Sequence, residues 1–217
     1  MVRGRSLSGR RPGLRAGAPA AALAFTLALA GCADLTSAFS PATSLTVARG
    51  AVVVAGPRGY CIDRRLTRTG EGESFVVMGA CSAFPFGTDN PVGQAAVLTA
   101  TVGGEVTTGA FDPDVVEGFL RSAQGRATLS RSGRAETVDI RQVRQDPAVL
   151  SLMIRDTTAV GEGPPVDPTY WRAIFLVRGH LVTATVMAFH DSPLSMDQGF
   201  FTLADFVNRI RAANPGG

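Results

Sequence analysis

The chain has 217 residues, a formal charge of +3 and a mean hydropathy of +0.17. All 21 basic residues are arginine, which excludes a Walker-type phosphate loop, a Schiff-base lysine and a Ser-Lys dyad. Five arginines and no acid fall in residues 1–31, so residues 32–217 carry 16 arginines against 18 acids, a formal −2, and nucleic-acid binding loses its main support.

The chain opens with Arg3, Arg5, Arg10, Arg11 and Arg15. An apolar run follows from Ala16 to Ala30, broken by Gly17, Pro19 and Thr26, and then Leu29-Ala30-Gly31-Cys32. A basic start, a short apolar stretch and small residues at the cut predict a secretory signal. A transmembrane helix needs about 20 apolar residues, more than this run supplies. The residues after Arg10-Arg11, namely Pro12-Gly13-Leu14, fit a twin-arginine signal poorly. An ordinary secretory signal with Cys32 left as a free thiol is the remaining alternative.

Leu29-Ala30-Gly31-Cys32 resembles the lipobox of bacterial lipoproteins. The resemblance implies cleavage before Cys32, diacylglycerol on its sulfur, and a partner in the membrane itself. Ala33, rather than Asp, follows the cysteine. In lipoproteins that implies the outer membrane, facing the periplasm, rather than retention at the inner membrane. Residues 32–44, rich in Ala, Ser and Thr, read as a short tether. Residues 45–217 read as a single domain long enough to bury a core.

Leu45–Ala55 is β-rich and ends at the turn Gly56-Pro57-Arg58-Gly59. Tyr60-Cys61-Ile62 is a short extended piece, and Arg64–Gly72 a charged loop. Ser74–Ala80 and Ala95–Val102 read as strands. Cys61 and Cys81 are the other cysteines, and in an oxidising compartment such a pair is most simply a disulfide. Closing that loop contributes roughly 3 kcal/mol in the chain-entropy model. A free or redox-active thiol pair is the alternative, though no Cys-x-x-Cys supports redox work. Metal binding needs two more ligands, and His180 and His190 are distant in sequence, so neither a metal nor a cofactor is expected.

Asp112-Pro113-Asp114 predicts a helix start, with Val115, Val116, Phe119 and Leu120 forming its apolar stripe to about Ala123. Ala127–Arg131 and Thr137–Val143 read as a hairpin turning at Ser132-Gly133. Val149–Arg155 is a further strand. Residues 157–169 carry Gly161, Gly163, Pro164, Pro165 and Pro168 and read as a long connection. Tyr170–Val177 and Leu181–Phe189 form the clearest hairpin. Ser195 to Gln198 is a capping box opening a last helix with Phe200, Leu203, Val207 and Ile210 on one face. Short turns between consecutive strands imply antiparallel pairing. The expected fold is α+β, an antiparallel sheet with both helices on one face. The closing hairpin and helix resemble the PsbP/Mog1-type sandwich, a resemblance that implies a fold and no function.

No motif carries recognisable chemistry. His190-Asp191 offers a base beside a carboxylate, but sequence neighbours seldom point at each other, and a surface histidine is the better reading. Tyr60 with Arg64, Arg65 and Arg68 is a candidate anion or partner contact. Against it, Asp63, Glu71 and Glu73 balance those charges in what is otherwise a solvated loop. Trp171, the sole tryptophan, reads as either a binding hot spot or a core anchor. The pattern favours a non-catalytic module that binds an envelope protein or wall component. An envelope hydrolase would need a convergent acid-base site, and a small-ligand carrier an apolar pocket.

Overall fold

The computed structural model describes residues 41–70, 72–85, 87, 95–106, 111–158 and 166–216. Residues 1–40, which include the expected export signal, Cys32 and most of the expected tether 32–44, lie outside the described residues. So do Glu71 and residues 159–165 of the Gly/Pro connection.

Nine strands and three α-helices form the described domain: β1 (Ser44–Val47), β2 (Val52–Ala55), β3 (Tyr60–Ile62), β4 (Ser74–Ala80) and β5 (Ala96–Glu105); α1 (Pro113–Arg121) and α2 (Ala123–Leu129); β6 (Val138–Asp146), β7 (Val149–Asp156), β8 (Val166–Val177) and β9 (His180–Phe189); and α3 (Met196–Ala212). Seven strands make one sheet in the order β3-β4-β5-β9-β8-β7-β6, and β1 pairs with β2 beside it. Every pairing is antiparallel. The fold is α+β, as the strand order implies. No described helix is long and apolar enough to cross a membrane.

The β8–β9 hairpin turns through Arg178 and Gly179, with φ of 49° and 76°. Two successive positive φ angles match the right-handed twist of the flanking strands, and glycine at the second position adopts its angle without a Cβ clash. The register Val177↔His180 follows. In β8, Tyr170 and Ile174 then face one side of the sheet, while Trp171, Ala173, Phe175 and Val177 face the other.

The helices lie on opposite faces, and this corrects the expectation that both cover one. α1 and α2 pack Leu120 and Leu129 against Leu150, Leu152 and Ile154 of β7. α3 packs Leu203, Phe206, Val207 and Ile210 on the reverse face, against β8, β9 and β2. The cause is visible in β7, where six consecutive residues from Val149 to Ile154 are buried. A strand apolar on both sides needs cover on both.

A second correction concerns residues 127–131. They belong to α2 and the turn after it, not to a strand. Ser122 caps α2 by accepting a hydrogen bond from the Gly125 amide at 3.0 Å. Gly125 lies so close to the end of α1 that a Cβ there would come within 2.1 Å of the Phe119 carbonyl oxygen. That close approach lets two short helices join at a sharp bend. The β-rich segment 45–55 is likewise two strands, turning at Ala48-Arg49-Gly50, all three at positive φ.

The β1–β2 hairpin is fastened by one side chain far away in sequence. The Asn214 side chain accepts from the Val53 amide at 2.8 Å and donates to the Val53 carbonyl at 2.7 Å, as a neighbouring strand would. Its Nδ2 also donates to the Ile210 carbonyl at 2.7 Å, closing the end of α3. Contacts of the domain begin ahead of residue 45. The Ala42 carbonyl accepts from the Ile62 amide at 2.7 Å, so Pro41 and Ala42 run beside β3.

Asp156 is fully buried at the end of β7. Its carboxylate accepts from the Arg131 amide at 2.8 Å, the Thr158 amide at 2.9 Å and the Thr158 hydroxyl at 2.7 Å. The Arg131 guanidinium is paired with it at 3.2 Å. Burial alone would raise the pKa of this carboxyl. The hydrogen bonds from Arg131, Thr158 and Thr137 outweigh burial and hold it well below the usual carboxylate range.

Two outcomes follow. Asn214→Ala leaves both backbone groups of Val53 without their partner and should lower stability by about 2–4 kcal/mol, read from the urea midpoint at unchanged m-value. Because the folded pKa of Asp156 is depressed, its contribution is complete above the unfolded value of about 4 and is lost as pH falls below it. Urea titrations from about pH 7 down to about pH 3 should show that loss flattened in Asp156→Asn; an unchanged acid slope would assign it to other groups.

Candidate functional site

Trp171 organises the best-formed concavity. It points from β8 towards the start of α3, and its indole Nε1 donates to the Met196 carbonyl at 2.9 Å. That carbonyl sits at the start of the helix, where the capping box holds the chain. The Ser195 hydroxyl accepts from the Gln198 amide at 3.2 Å, and the Gln198 side chain accepts from the Ser195 amide at 2.9 Å. Gly199 lies over the indole edge, where an added Cβ would be 2.8 Å from Trp171 Cδ1. Phe200 tilts against the indole at 5.1 Å between centroids. The Arg144 guanidinium from β6 lies 4.0 Å from the Phe200 ring centre and 5.4 Å from that of Trp171, and approaches Asp197 at 3.8 Å.

Beside this stack opens a groove of about 480 Å³. Met153, Trp171, Val186, Ala188 and Leu194 supply apolar walls, and Arg141, Arg155 and Asp167 supply charged ones. Met196, 56 % exposed, lines it from the helix start. Arg141 is 2.9 Å from Asp139, whereas exposed Arg155 makes no ion pair among the described residues. The carboxylate of Asp167 accepts from the Thr169 amide at 2.7 Å. The groove therefore presents an apolar surface with guanidinium groups at its rim. Such a surface suits a ligand with an anionic group on an apolar body.

The residues singled out from sequence do not converge. Tyr60 is buried in the core on the α3 side, and burial pushes its phenol up to about 12. Arg64, Arg65 and Arg68 are exposed on the loop after β3. Trp171 is buried and bordered by the groove, so it is a core anchor that also forms a wall. Cys61 and Cys81 form a disulfide joining the edge strand β3 to the turn after β4. His180 Nδ1 bonds the Gly103 carbonyl at 2.9 Å in a strand-to-strand contact. His190 and Asp191 are both exposed, and no hydrogen bond joins them. Among the described residues, no group of three or more His, Cys, Asp or Glu could hold a metal ion.

Arg141, Arg144, Arg155 and Asp167 were not singled out by their sequence. They come from β6, β7 and β8, and only antiparallel pairing at the sheet edge brings them together. The available signal was the alternation of charged and apolar residues in Val138-Asp139-Ile140-Arg141, which marks a strand with one polar face.

No family model matches the chain, and no curated protein matches it. Two solved structures are similar. One is a Mog1 protein point mutant, at 12% identity and a TM-score of 0.42, covering 78% of this chain and 93% of that one. The other is the Ran-binding protein Mog1p of Saccharomyces cerevisiae, at 10% identity and a TM-score of 0.43, covering 78% and 92%. Nothing about function transfers at that likeness.

The contact between Gly199 and Trp171 gives a direct test of the wall. Gly199→Val should displace the indole, shift the emission of this sole tryptophan to the red, and lower stability by about 1–3 kcal/mol.

Proposed function

We propose that this protein is a lipid-anchored component of the bacterial cell envelope whose domain binds a partner through the groove between β6–β8 and the start of α3. The anchor in this reading is Cys32, and the membrane is the outer membrane with the domain in the periplasm. The lipobox supports the anchor, through Leu29-Ala30-Gly31-Cys32. The observation that carries the binding role is the groove itself. Its apolar wall is continuous with exposed Met196, while the rim bears an arginine with no ion pair among the described residues. Exposed apolar side chains beside a concave surface mark interaction sites, and an arginine at the rim selects an acidic partner. The partner is an envelope protein or wall component carrying carboxylates on an apolar segment.

The test uses the full precursor expressed in bacteria. Mass spectrometry of the purified protein should find an acylated Cys32, and an unmodified cysteine would overturn the anchor. A photo-crosslinking residue at Met196 should give a discrete product in cells, and the same residue at Val115 on α1 should not. The Met196 product should fall about tenfold in Arg155→Glu if that guanidinium meets a carboxylate. Equal products from both positions, or no effect of Arg155→Glu, would overturn the groove as the binding surface.

A further inference from the structure

We propose that the loop Asp63–Arg68 is a membrane-facing contact that rests on anionic phospholipid headgroups beside the lipid anchor. This rests on the reading of Cys32 as the anchor.

The chain enters the domain next to this loop. The Pro41 carbonyl lies 3.6 Å from Cys61 Sγ, and the Ala42 carbonyl accepts from the Ile62 amide at 2.7 Å. Ile62 is followed directly by the loop. Eight residues lie between Cys32 and Pro41, and fully extended the chain from one to the other reaches about 30 Å. An acylated Cys32 would therefore hold the start of the domain, beside β3, within about 30 Å of the bilayer. The opposite edge of the sheet, β6, is six strand spacings away, about 29 Å. The groove at β6–β8 lies towards that far edge.

The loop is held in a fixed shape. Asp63 Oδ1 accepts from the Arg65 amide at 2.9 Å, and the Thr67 hydroxyl accepts from the Val77 amide at 3.1 Å. Arg68 and Phe75 exchange backbone hydrogen bonds at 2.7 and 2.8 Å. The Asp63 side chain is 14% exposed and pairs at 3.6 Å with the Arg65 guanidinium, whose side chain is 88% exposed. Leu66 stands 58% exposed between the arginines. Glu73 is exposed at the base of the same connection, just before β4, and Glu71 lies outside the described residues. Arg64, Leu66 and Arg68 are thus exposed along one short loop, with Arg65 exposed beside its partner Asp63. That combination suits a headgroup layer, in which arginines meet phosphates and a leucine reaches the acyl boundary.

The experiment uses the full lipidated protein reconstituted in vesicles of phosphatidylethanolamine and phosphatidylglycerol containing brominated lipid, which quenches nearby tryptophan. Leu66→Trp and Val115→Trp are compared, the second being 67% exposed on α1 at the far edge. Buried Trp171 contributes equally to both. Quenching should be at least about twofold stronger at position 66, and should weaken when Arg64, Arg65 and Arg68 become Ala or when phosphatidylcholine replaces the anionic lipid. Protein that floats with the vesicles but is quenched equally at both positions would overturn the proposal while leaving the anchor intact. Insensitivity to the arginines and to lipid charge would overturn it too. Protein that does not float would overturn the anchor, and the loop contact with it.

Discussion

Two neighbouring residues on one strand hold the layers together. Tyr170 and Trp171 leave β8 on opposite sides, and each ties its polar atom to a helix. The Tyr170 hydroxyl donates to the Leu129 carbonyl at 3.1 Å, at the end of α2. The Trp171 indole donates to the Met196 carbonyl at 2.9 Å, at the start of α3. Large aromatics buried with a satisfied polar tip fix both position and orientation. The sheet is thus covered on both faces from one point near its middle, and the groove exists because the helix start is held at the indole.

The remaining elements close what this arrangement leaves open. The β1–β2 hairpin is too short to be stable alone. It buries Val52 and Val54 in the core on the α3 side and takes a polar tie from Asn214. On the other face, Asp156 joins the end of β7 to Arg131 just beyond α2. The outer edge of β6 carries Asp139 and Arg141 and a register shift between Ile140 and Gln142, features that discourage pairing with another chain. The same charged edge supplies part of the rim of the groove.

The start of the described chain and the groove occupy different parts of the domain. The chain enters beside β3, at one edge of the sheet, and the groove lies towards the other edge.

Periodicity determined much of this from the sequence. The β8–β9 hairpin, the capped helix at Ser195, the Asp112 cap and the disulfide partners Cys61 and Cys81 were legible because each depends on residues close in the chain or on a single chemical pairing. The resemblance of Leu29-Ala30-Gly31-Cys32 to a lipobox is likewise a local pattern. Only the tertiary structure decided which face each helix covers, that Ala123–Leu129 is helical, and that Tyr60 is core rather than surface. It alone brought Arg141, Arg155 and Trp171 to one groove. Local patterns record turns, caps and alternation, whereas strand order and the partners of a two-sided strand are set by packing between segments far apart in sequence. Asn214 shows the difference most plainly: beside Pro215-Gly216 it reads as the end of a helix, and its role is to stand in for a strand next to Val53.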